Sequence, residues 1–231
     1  MLCTDIVRER AEALAGEVGG EALESNAELA SRADLVVLCH KPTQLEEVAG
    51  EMPEPPRAVA SILGATPLAA VKAAYPARPV FRFLPSTPVE LRQGVVCHVP
   101  DPDADRELEG KVLALFGRLG RLVDVEEKLI DVAMGAMSCA PAYVALLVEA
   151  QVDAAVKQGL PAPLAAEMVV DTMAGTAALL RARGLDTLAV RREVTSPGGS
   201  TARGLAALER GGVRAAFVAA MDAVLQKDGP R

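Results

Sequence analysis

The residues best suited to chemistry form the loop Thr195-Ser196-Pro197-Gly198-Gly199-Ser200-Thr201. Its two glycines permit backbone conformations and close approaches that other residues resist. Hydroxyl side chains flank them, and a predicted helix, 201–210, begins where the loop ends. Free amides at a helix start, together with the helix dipole, favour an anion. The loop is therefore a candidate site for a carboxylate or a phosphate, although a plain Gly turn before a Ser/Thr-capped helix has the same composition.

A second segment, Cys39-His40-Lys41-Pro42, lies at the carboxyl end of the apolar run 35–39. Ligands of open α/β sheets bind at the carboxyl ends of strands, which is where this segment is predicted to lie. Lys41 could meet a cofactor phosphate or ribose, and His40 could act as an acid or a base. An ordinary turn exposed to solvent would have the same sequence pattern, so it remains the alternative interpretation. The rigid segment 82–88, with two prolines, lies at the carboxyl end of another predicted strand and is a third candidate.

Asp5 ends the first apolar segment, where dinucleotide-binding folds place the acid that holds the ribose hydroxyls. In those folds a Gly fingerprint comes about 20 residues earlier. No G-x-G-x-x-G occurs in the 231 residues. Either Asp5 is an ordinary loop acid, or the chain lacks the first strand, phosphate loop and helix of such a domain. In the second case we expect it to bind NAD(P)H weakly or not at all.

The predicted secondary structure that must position these residues changes near residue 125, from alternating strands and helices to helices alone. Predicted strands alternate with predicted helices before it, which indicates βαβ units and a doubly wound, mostly parallel, Rossmann-like sheet. The predicted strands are Leu2–Thr4, Leu35–Cys39, Ala58–Leu63, Val80–Phe83, Gly94–His98 and Arg121–Val125. The predicted helices between them are Val7–Gly16, Asn26–Arg32, Gln44–Met52, Pro67–Ala74 and Arg106–Leu119.

From residue 126 onward only helices are predicted, several of them apolar on nearly every side. They are Glu127–Met137, Ala142–Gly159, Pro163–Arg183, Thr187–Glu193, Thr201–Arg210 and Val213–Gln226. Such helices must be buried on more than one side, which favours a homodimer. We therefore predict an incomplete NAD(P)-binding domain at 1–125 and a helical dimerisation and substrate-binding domain at 126–231.

Composition narrows the function classes. Hydrophobic residues make up 51% of the chain, which excludes a disordered protein. A net charge of −7 and only 3% aromatic residues argue against nucleic-acid binding. Four cysteines without a CxxC pair and two histidines argue against zinc. The uncharged run 132–148 favours a buried or interface helix over a membrane span, and residues 1–20 do not resemble a signal peptide. We predict a cytoplasmic protein with no metal and with neither nucleic acid nor membrane as partner.

Taken in order, these segments resemble the pyrroline-5-carboxylate reductase family. Lys41-Pro42 resembles the end of the family's A-V-K-P turn, and 82–88 resembles R-x-M-P-N-x-P. Residues 125–131 match V-x-E-x-x-x-D, and 141–143 match P-A-Y. The loop 195–201 is close to the S-P-G-G-[ST]-T signature. The order of the motifs along nearly the whole chain is more specific than any one of them.

The resemblance implies NAD(P)H-dependent reduction of 1-pyrroline-5-carboxylate to proline, or of a close imino-acid analogue, in proline biosynthesis. It implies a Rossmann-like domain, here lacking its first strand and Gly-rich loop, followed by an all-α dimerisation domain of the 6-phosphogluconate dehydrogenase C-terminal type. It also implies a homodimer or a higher homo-oligomer. The resemblance assigns Thr201 a catalytic role, with its hydroxyl near the imine nitrogen. The implied substrate-binding residues are Glu127, Ser196, Gly199, Ser200 and Thr201. The implied cofactor-binding residues are Asp5, Asn26, Cys39, His40, Lys41 and Pro42.

Two departures from the family pattern leave alternatives open. Met137-Ser138-Cys139-Ala140 stands where the family has S-G-S-G, which allows a related reductase of another imino or keto acid. Ile6 stands where the family usually has an Arg suited to a 2′-phosphate, so both NADP and NAD remain candidates. The third alternative is a non-catalytic dimeric paralogue or ligand-binding protein that keeps the 195–201 anion site.

Overall fold

The computed structural model describes residues 1–226. Packing divides the chain into two units, Met1–Ser138 and Cys139–Arg231. The predicted division after residue 125 marks the change from strands to helices. The packing division falls later, because Ile130 lies in a buried cluster with Leu84 and Val99 of the sheet. Residues 126–138 are therefore described with the first unit.

The first unit contains two sheets. Strands β1 (Leu2–Cys3) and β2 (Glu21–Ala22) pair in parallel. The other five strands form a single sheet in sequence order. They are β3 (Val36–Leu38), β4 (Val59–Ser61), β5 (Val80–Pro85), β6 (Gly94–Val99) and β7 (Gly120–Asp124). Only β5 and β6 pair antiparallel among these neighbours, so the expected mostly parallel, Rossmann-like sheet is confirmed.

Five helices accompany the strands, each near its predicted position. They are α1 (Arg8–Val18), α2 (Asn26–Arg32), α3 (Leu45–Gly50), α4 (Leu68–Ala74) and α5 (Arg106–Phe116). Ser25 is the N-cap of α2, because its hydroxyl accepts the Glu28 amide at 3.2 Å. The carboxylate of Asp105 caps α5 in the same way, accepting the amides of Glu107 and Leu108 at 2.9 and 3.1 Å.

The five-stranded sheet has an apolar core on each face, because successive side chains of a strand point to opposite sides. On one face Val59 of β4 packs in a cluster with Leu45 of α3 and Val71 of α4. On the other, Phe83 of β5 stacks on Phe116 of α5 with ring centroids 3.8 Å apart. Helices thus cover both faces, as a doubly wound sheet requires.

The helical part of the chain begins with a segment of mixed winding that belongs to the first unit. A 3-10 turn spans Glu127–Leu129, α6 spans Ile130–Ala133, and a π-helical turn spans Met134–Ser138. Between residues 139 and 226 the second unit holds five further helices. They are α7 (Ala140–Lys157), α8 (Ala162–Ala182), α9 (Thr187–Glu193), α10 (Ser200–Arg210) and α11 (Val213–Leu225). The expected all-helical region is confirmed for the residues described.

The helices of the second unit expose much apolar surface. Leu146 of α7, Met168 of α8 and Val218 of α11 have 63%, 54% and 62% of their surface exposed. Two helical stretches, Glu127–Lys157 and Ala162–Ala182, are long and apolar enough to cross a membrane by length and composition alone. Exposed apolar surface of this kind is typical of regions that contact a protein partner or a membrane.

Candidate functional site

The loop before α10 is held in a tight turn that requires both of its glycines. Gly198 has a φ of +70°, in the left-handed region that glycine adopts without steric cost. The Gly199 amide donates to the Ser196 carbonyl at 3.1 Å. A Cβ added at Gly199 would overlap the Ser196 hydroxyl oxygen. The glycines therefore serve the turn itself, and the predicted approach of a ligand stays a prediction.

The start of α10 is open to a ligand. Within the described chain, no side chain caps the first amides of this helix, and its first turn has no acidic residue. Ser200 and Thr201, its first two residues, are exposed. The Arg203 guanidinium donates to the Gly198 carbonyl at 2.7 Å, which fixes the turn and adds a positive charge beside it. Uncapped amides, two hydroxyls and a cation together suit a carboxylate.

The segment 39–42 lies at the carboxyl end of β3, as predicted. His40 donates from Nδ1 to the Lys41 carbonyl at 2.9 Å, because a carbonyl can only accept. Its Nε2 is then an acceptor, and it is buried without a partner among the described residues. Pro42 begins a 3-10 turn, while Cys39 and Lys41 are exposed. An unused acceptor beside an exposed ammonium group fits a ligand that carries hydroxyls and phosphates.

Asp5 and Asn26 are both already engaged within the chain. The Asp5 carboxylate accepts the Val7 amide at 2.8 Å and remains exposed. The Asn26 side chain accepts from the Thr4 hydroxyl and donates to the Glu51 carboxylate, both at 2.6 Å. Asn26 therefore ties the end of β1 to the end of α3, and contact with a cofactor requires it to exchange one of these partners.

Glu127 makes two hydrogen bonds through one carboxylate oxygen. Its Oε1 accepts from the guanidinium of Arg82 in β5, and from the amide of Leu68, the first residue of α4, at 3.0 Å. The sequence predicted a strand Val80–Phe83 that contains Arg82, and the family resemblance placed Glu127 near the substrate, but neither revealed their contact. A charged residue inside the apolar strand 80–85 was the available signal, because a buried charge needs a partner.

Two polar pairs of the first unit, each with one buried member, were also not predicted from the sequence. His98 of β6 is 2% exposed, and its Nδ1 lies 2.9 Å from the Asp124 carboxylate of β7. Asp101, just after β6, pairs with the Lys72 ammonium at 2.5 Å. Burial raises the pKa of Asp101, but Lys72, the Asp103 amide and the charge of Arg106 outweigh it and lower the pKa below its usual 3.8. In the described residues, no group of three or more His, Cys, Asp or Glu side chains is placed to hold a metal ion.

Comparison with known protein families and relatives gives a consistent result. Residues 127–229 match the family described as pyrroline-5-carboxylate reductase dimerisation, and residues 3–64 match NADP oxidoreductase, coenzyme F420-dependent. A pyrroline-5-carboxylate reductase of Synechocystis sp. is 32% identical over 206 residues, covering 87% of this chain and 76% of the relative. One of Pseudomonas aeruginosa is 32% identical over 227 residues, covering 95% and 82%.

Solved structures agree with these relatives. The 1-pyrroline-5-carboxylate reductase of Streptococcus pyogenes superposes with a TM-score of 0.89 at 26% identity, covering 96% of this chain and 86% of that one. The enzyme of Coxiella burnetii gives a TM-score of 0.87 at 25% identity, covering 96% and 85%. Sequence identity of about 30% over most of both chains shows a common ancestor as well as a common fold. The chain belongs to the pyrroline-5-carboxylate reductase family.

Proposed function

We propose that the chain reduces 1-pyrroline-5-carboxylate, or a close imino-acid analogue, to proline with NADPH or NADH. The observation that carries the proposal is the loop 195–201, where two glycines hold a tight turn before an uncapped helix start. This arrangement suits the carboxylate of a small substrate. The names of the relatives with about 30% identity support the same reaction.

The reaction needs little from the protein beyond positioning and electrostatics. A nicotinamide cofactor supplies a hydride to the carbon of the C=N bond, and the nitrogen takes or keeps a proton. The amides and hydroxyls of Ser196, Gly199, Ser200 and Thr201 would hold the carboxylate. The Thr201 hydroxyl would donate a hydrogen bond to the ring nitrogen, or pass a proton to it.

The same proposal assigns a cofactor role to six residues of the first unit, Asp5, Asn26, Cys39, His40, Lys41 and Pro42. The buried, unpartnered Nε2 of His40 fits a hydroxyl or amide donor of the cofactor. The exposed Lys41 ammonium fits a phosphate, and the Asp5 carboxylate fits a ribose diol. The family model matched by residues 3–64 is described as an NADP oxidoreductase, which supports this assignment. Fluorescence titration with NADPH and with NADH measures whether the chain binds a cofactor at these residues and decides between the two cofactors.

We also propose that the chain is a cytoplasmic homodimer, joined through the apolar surface of its second unit. The match of residues 127–229 to a dimerisation family supports this. The exposed side chains of Leu146, Met168 and Val218 provide the apolar area that such an interface needs.

A related reductase of another imino or keto acid is the second candidate. The π-helical turn Met134–Ser138 favours it, because π-turns occur often at functional sites and this one includes Met137 and Ser138 of the segment that departs from the family pattern. Assays of NADPH oxidation with 1-pyrroline-5-carboxylate and with larger cyclic imino acids, with product identification, separate the two. Proline binding without any cofactor oxidation would instead indicate a ligand-binding protein.

A further inference from the structure

His98 is a buried titratable side chain with a carboxylate on each side of its ring. It lies in β6, and 2% of its side chain is exposed. Asp124, its register partner in β7, places a carboxylate oxygen 2.9 Å from Nδ1. Glu109 of α5, whose side chain is 8% exposed, places an oxygen 3.8 Å from Nε2. The ring therefore stands between a strand and a helix that both belong to the first unit.

The hydrogen-bond geometry shows where one ring proton lies. An ionised carboxylate can only accept, so the 2.9 Å contact with Asp124 requires a proton on Nδ1 of His98. In a neutral ring Nε2 is then a bare acceptor. It is buried without a hydrogen-bond partner in residues 1–226, and it faces an oxygen of Glu109, which is also an acceptor. Two facing acceptors are unfavourable in a buried position, and a proton on Nε2 turns their contact into an attraction.

The neighbouring residues leave the two carboxylates as the acids that face the ring. The other oxygen of Glu109 accepts from Arg106 at 2.7 Å. This cation neutralises part of the Glu109 charge and opposes a positive charge on the imidazole. On β5 the Phe83 ring lies against His98, with ring centroids 5.1 Å apart. Arg82, the preceding residue of β5, points to the opposite face of the sheet.

We propose that His98 carries a proton on both ring nitrogens and is a pH-sensitive link between α5 and the end of β7. With both protons present, the ring attracts Glu109 on one side and Asp124 on the other. When Nε2 loses its proton, this nitrogen and the Glu109 carboxylate repel each other. Asp124 is the last residue of β7, and residues 124–127 form part of the wall of a cleft of about 590 Å³. Acidity would therefore control how firmly this wall is held to α5.

The proposal determines the direction of the pH dependence. The folded chain holds a proton that the unfolded chain releases within the range in which imidazole titrates, about pH 5 to 8. Stability rises with pH only where the unfolded state binds more protons, so here stability falls as the pH rises. The contribution of Asp101 has the opposite sign, because its carboxylate is favoured in the folded chain.

Nitrogen NMR of the ring tests the second proton directly. The full chain has two histidines, so isotope-labelled histidine gives two sets of ring signals, and His40→Gln identifies those of His98. We expect both nitrogens of His98 to be protonated at about pH 5.5 and Nε2 to lose its proton as the pH rises. In Glu109→Gln, Nε2 should lose its proton at a lower pH than in wild type, because an opposite charge beside it is gone.

Urea unfolding at about pH 5.5 and pH 8 measures the link itself. Glu109→Gln keeps the shape of the side chain and offers an amide N–H to a neutral Nε2 of His98. The ratio of the unfolding constants of variant and wild type should change by up to about tenfold per pH unit, with wild type favoured at the acid end. Glu107→Gln is the matched control on the same helix, because this carboxylate is exposed and pairs with Lys111. Its ratio should stay constant.

Each outcome decides the proposal, and none involves a ligand, so the result is independent of the proposed reaction. A ratio for Glu109→Gln that does not change with pH would make the contact one of packing alone, even if the variant is less stable throughout. Titration of the His98 ring at the same pH in wild type and Glu109→Gln would likewise overturn the link. If the variant does not fold, the wild-type spectrum carries the test, since an unprotonated Nε2 at about pH 5.5 contradicts the proposal.

Discussion

Gly199 and Ser196 approach each other so closely that no side chain fits between them. The Gly199 amide donates to the Ser196 carbonyl at 3.1 Å, and a Cβ at Gly199 would overlap the Ser196 hydroxyl. The turn therefore sets the position of a hydroxyl and of the first amides of α10 at once. We propose that this relationship makes the loop a rigid anchor for a small anion, which can be tested by adding one methyl group at Gly199.

Gly199→Ala should disrupt the loop. Relieving the overlap must move Ser196 or the start of α10, so we expect proline affinity to fall at least about tenfold and stability to fall by about 1–3 kcal/mol. Gly204→Ala is the control, because a Cβ there meets nothing within 4 Å. It lies inside α10 and should stabilise the chain by up to about 1 kcal/mol. Calorimetry and urea unfolding measure both effects, and unchanged proline affinity in Gly199→Ala would refute the anchor.

The Thr201 hydroxyl should matter more for turnover than for folding. Thr201→Val keeps the side-chain shape and removes the hydroxyl, so we expect kcat to fall about 100-fold. Thr201→Ser keeps the hydroxyl and should retain most of the activity. The measurement is NADPH oxidation with 1-pyrroline-5-carboxylate. A rise in KM at constant kcat would assign the hydroxyl to substrate binding alone, and no change in either constant would exclude Thr201 from the reaction.

The ion pair of Asp101 and Lys72 should make the free energy of unfolding depend on pH. The pKa of Asp101 is lower in the folded chain than its usual 3.8, so the folded state favours the carboxylate. The contribution is present above pH 3.8 and is lost as the pH falls through the folded-state pKa. Asp101→Asn should therefore cost most stability near neutral pH and progressively less below about pH 4.

Urea unfolding of wild type and Asp101→Asn between about pH 6 and pH 3 measures this difference. Lys72→Met, which removes the ammonium group, should flatten the pH dependence in the same way. A difference between wild type and Asp101→Asn that stays constant over the whole range would mean that the pair contributes no proton-linked stability.

The apolar surface of the second unit should hold two copies together. Leu146 is 63% exposed on α7, so Leu146→Glu would bury a charge in the proposed interface and should shift the chain from dimer to monomer. Leu115→Glu is the control, because this leucine is 48% exposed on α5 of the first unit. Light scattering after size exclusion gives the masses. A dimer that persists in Leu146→Glu would place the interface elsewhere.

The bounds of helices and strands could be predicted from local sequence patterns where interactions between neighbouring residues determine them. The bounds of α2 and α9 agree with the structure, because Ser25 and Asp186 cap the two helix starts. Strand β2 was not predicted, since Glu21–Ala22 is two residues long and has no apolar run. Its position depends on pairing with β1, which no local spacing reveals.

The candidate site shows the same contrast between features that neighbouring residues determine and features that depend on distant contacts. The loop 195–201 could be recognised because its glycines and hydroxyls are adjacent in sequence. The contacts of Arg82 with Glu127 and of His98 with Asp124 span 45 and 26 residues. A buried Arg or His signals that it needs a partner, but only the fold selects which carboxylate comes within reach.

The single antiparallel pair in the five-stranded sheet has a consequence for the order of folding. Strands β5 and β6 follow one another across a short turn between Pro85 and Gly94, whereas α3 separates β3 from β4 and α4 separates β4 from β5. Closing a short loop costs less chain entropy, so this hairpin can form before the parallel neighbours join. Arg82 lies within it, so in that order of folding its guanidinium would have no partner until Glu127 comes into place. The late arrival of that carboxylate would couple completion of the sheet to the start of the helical stretch.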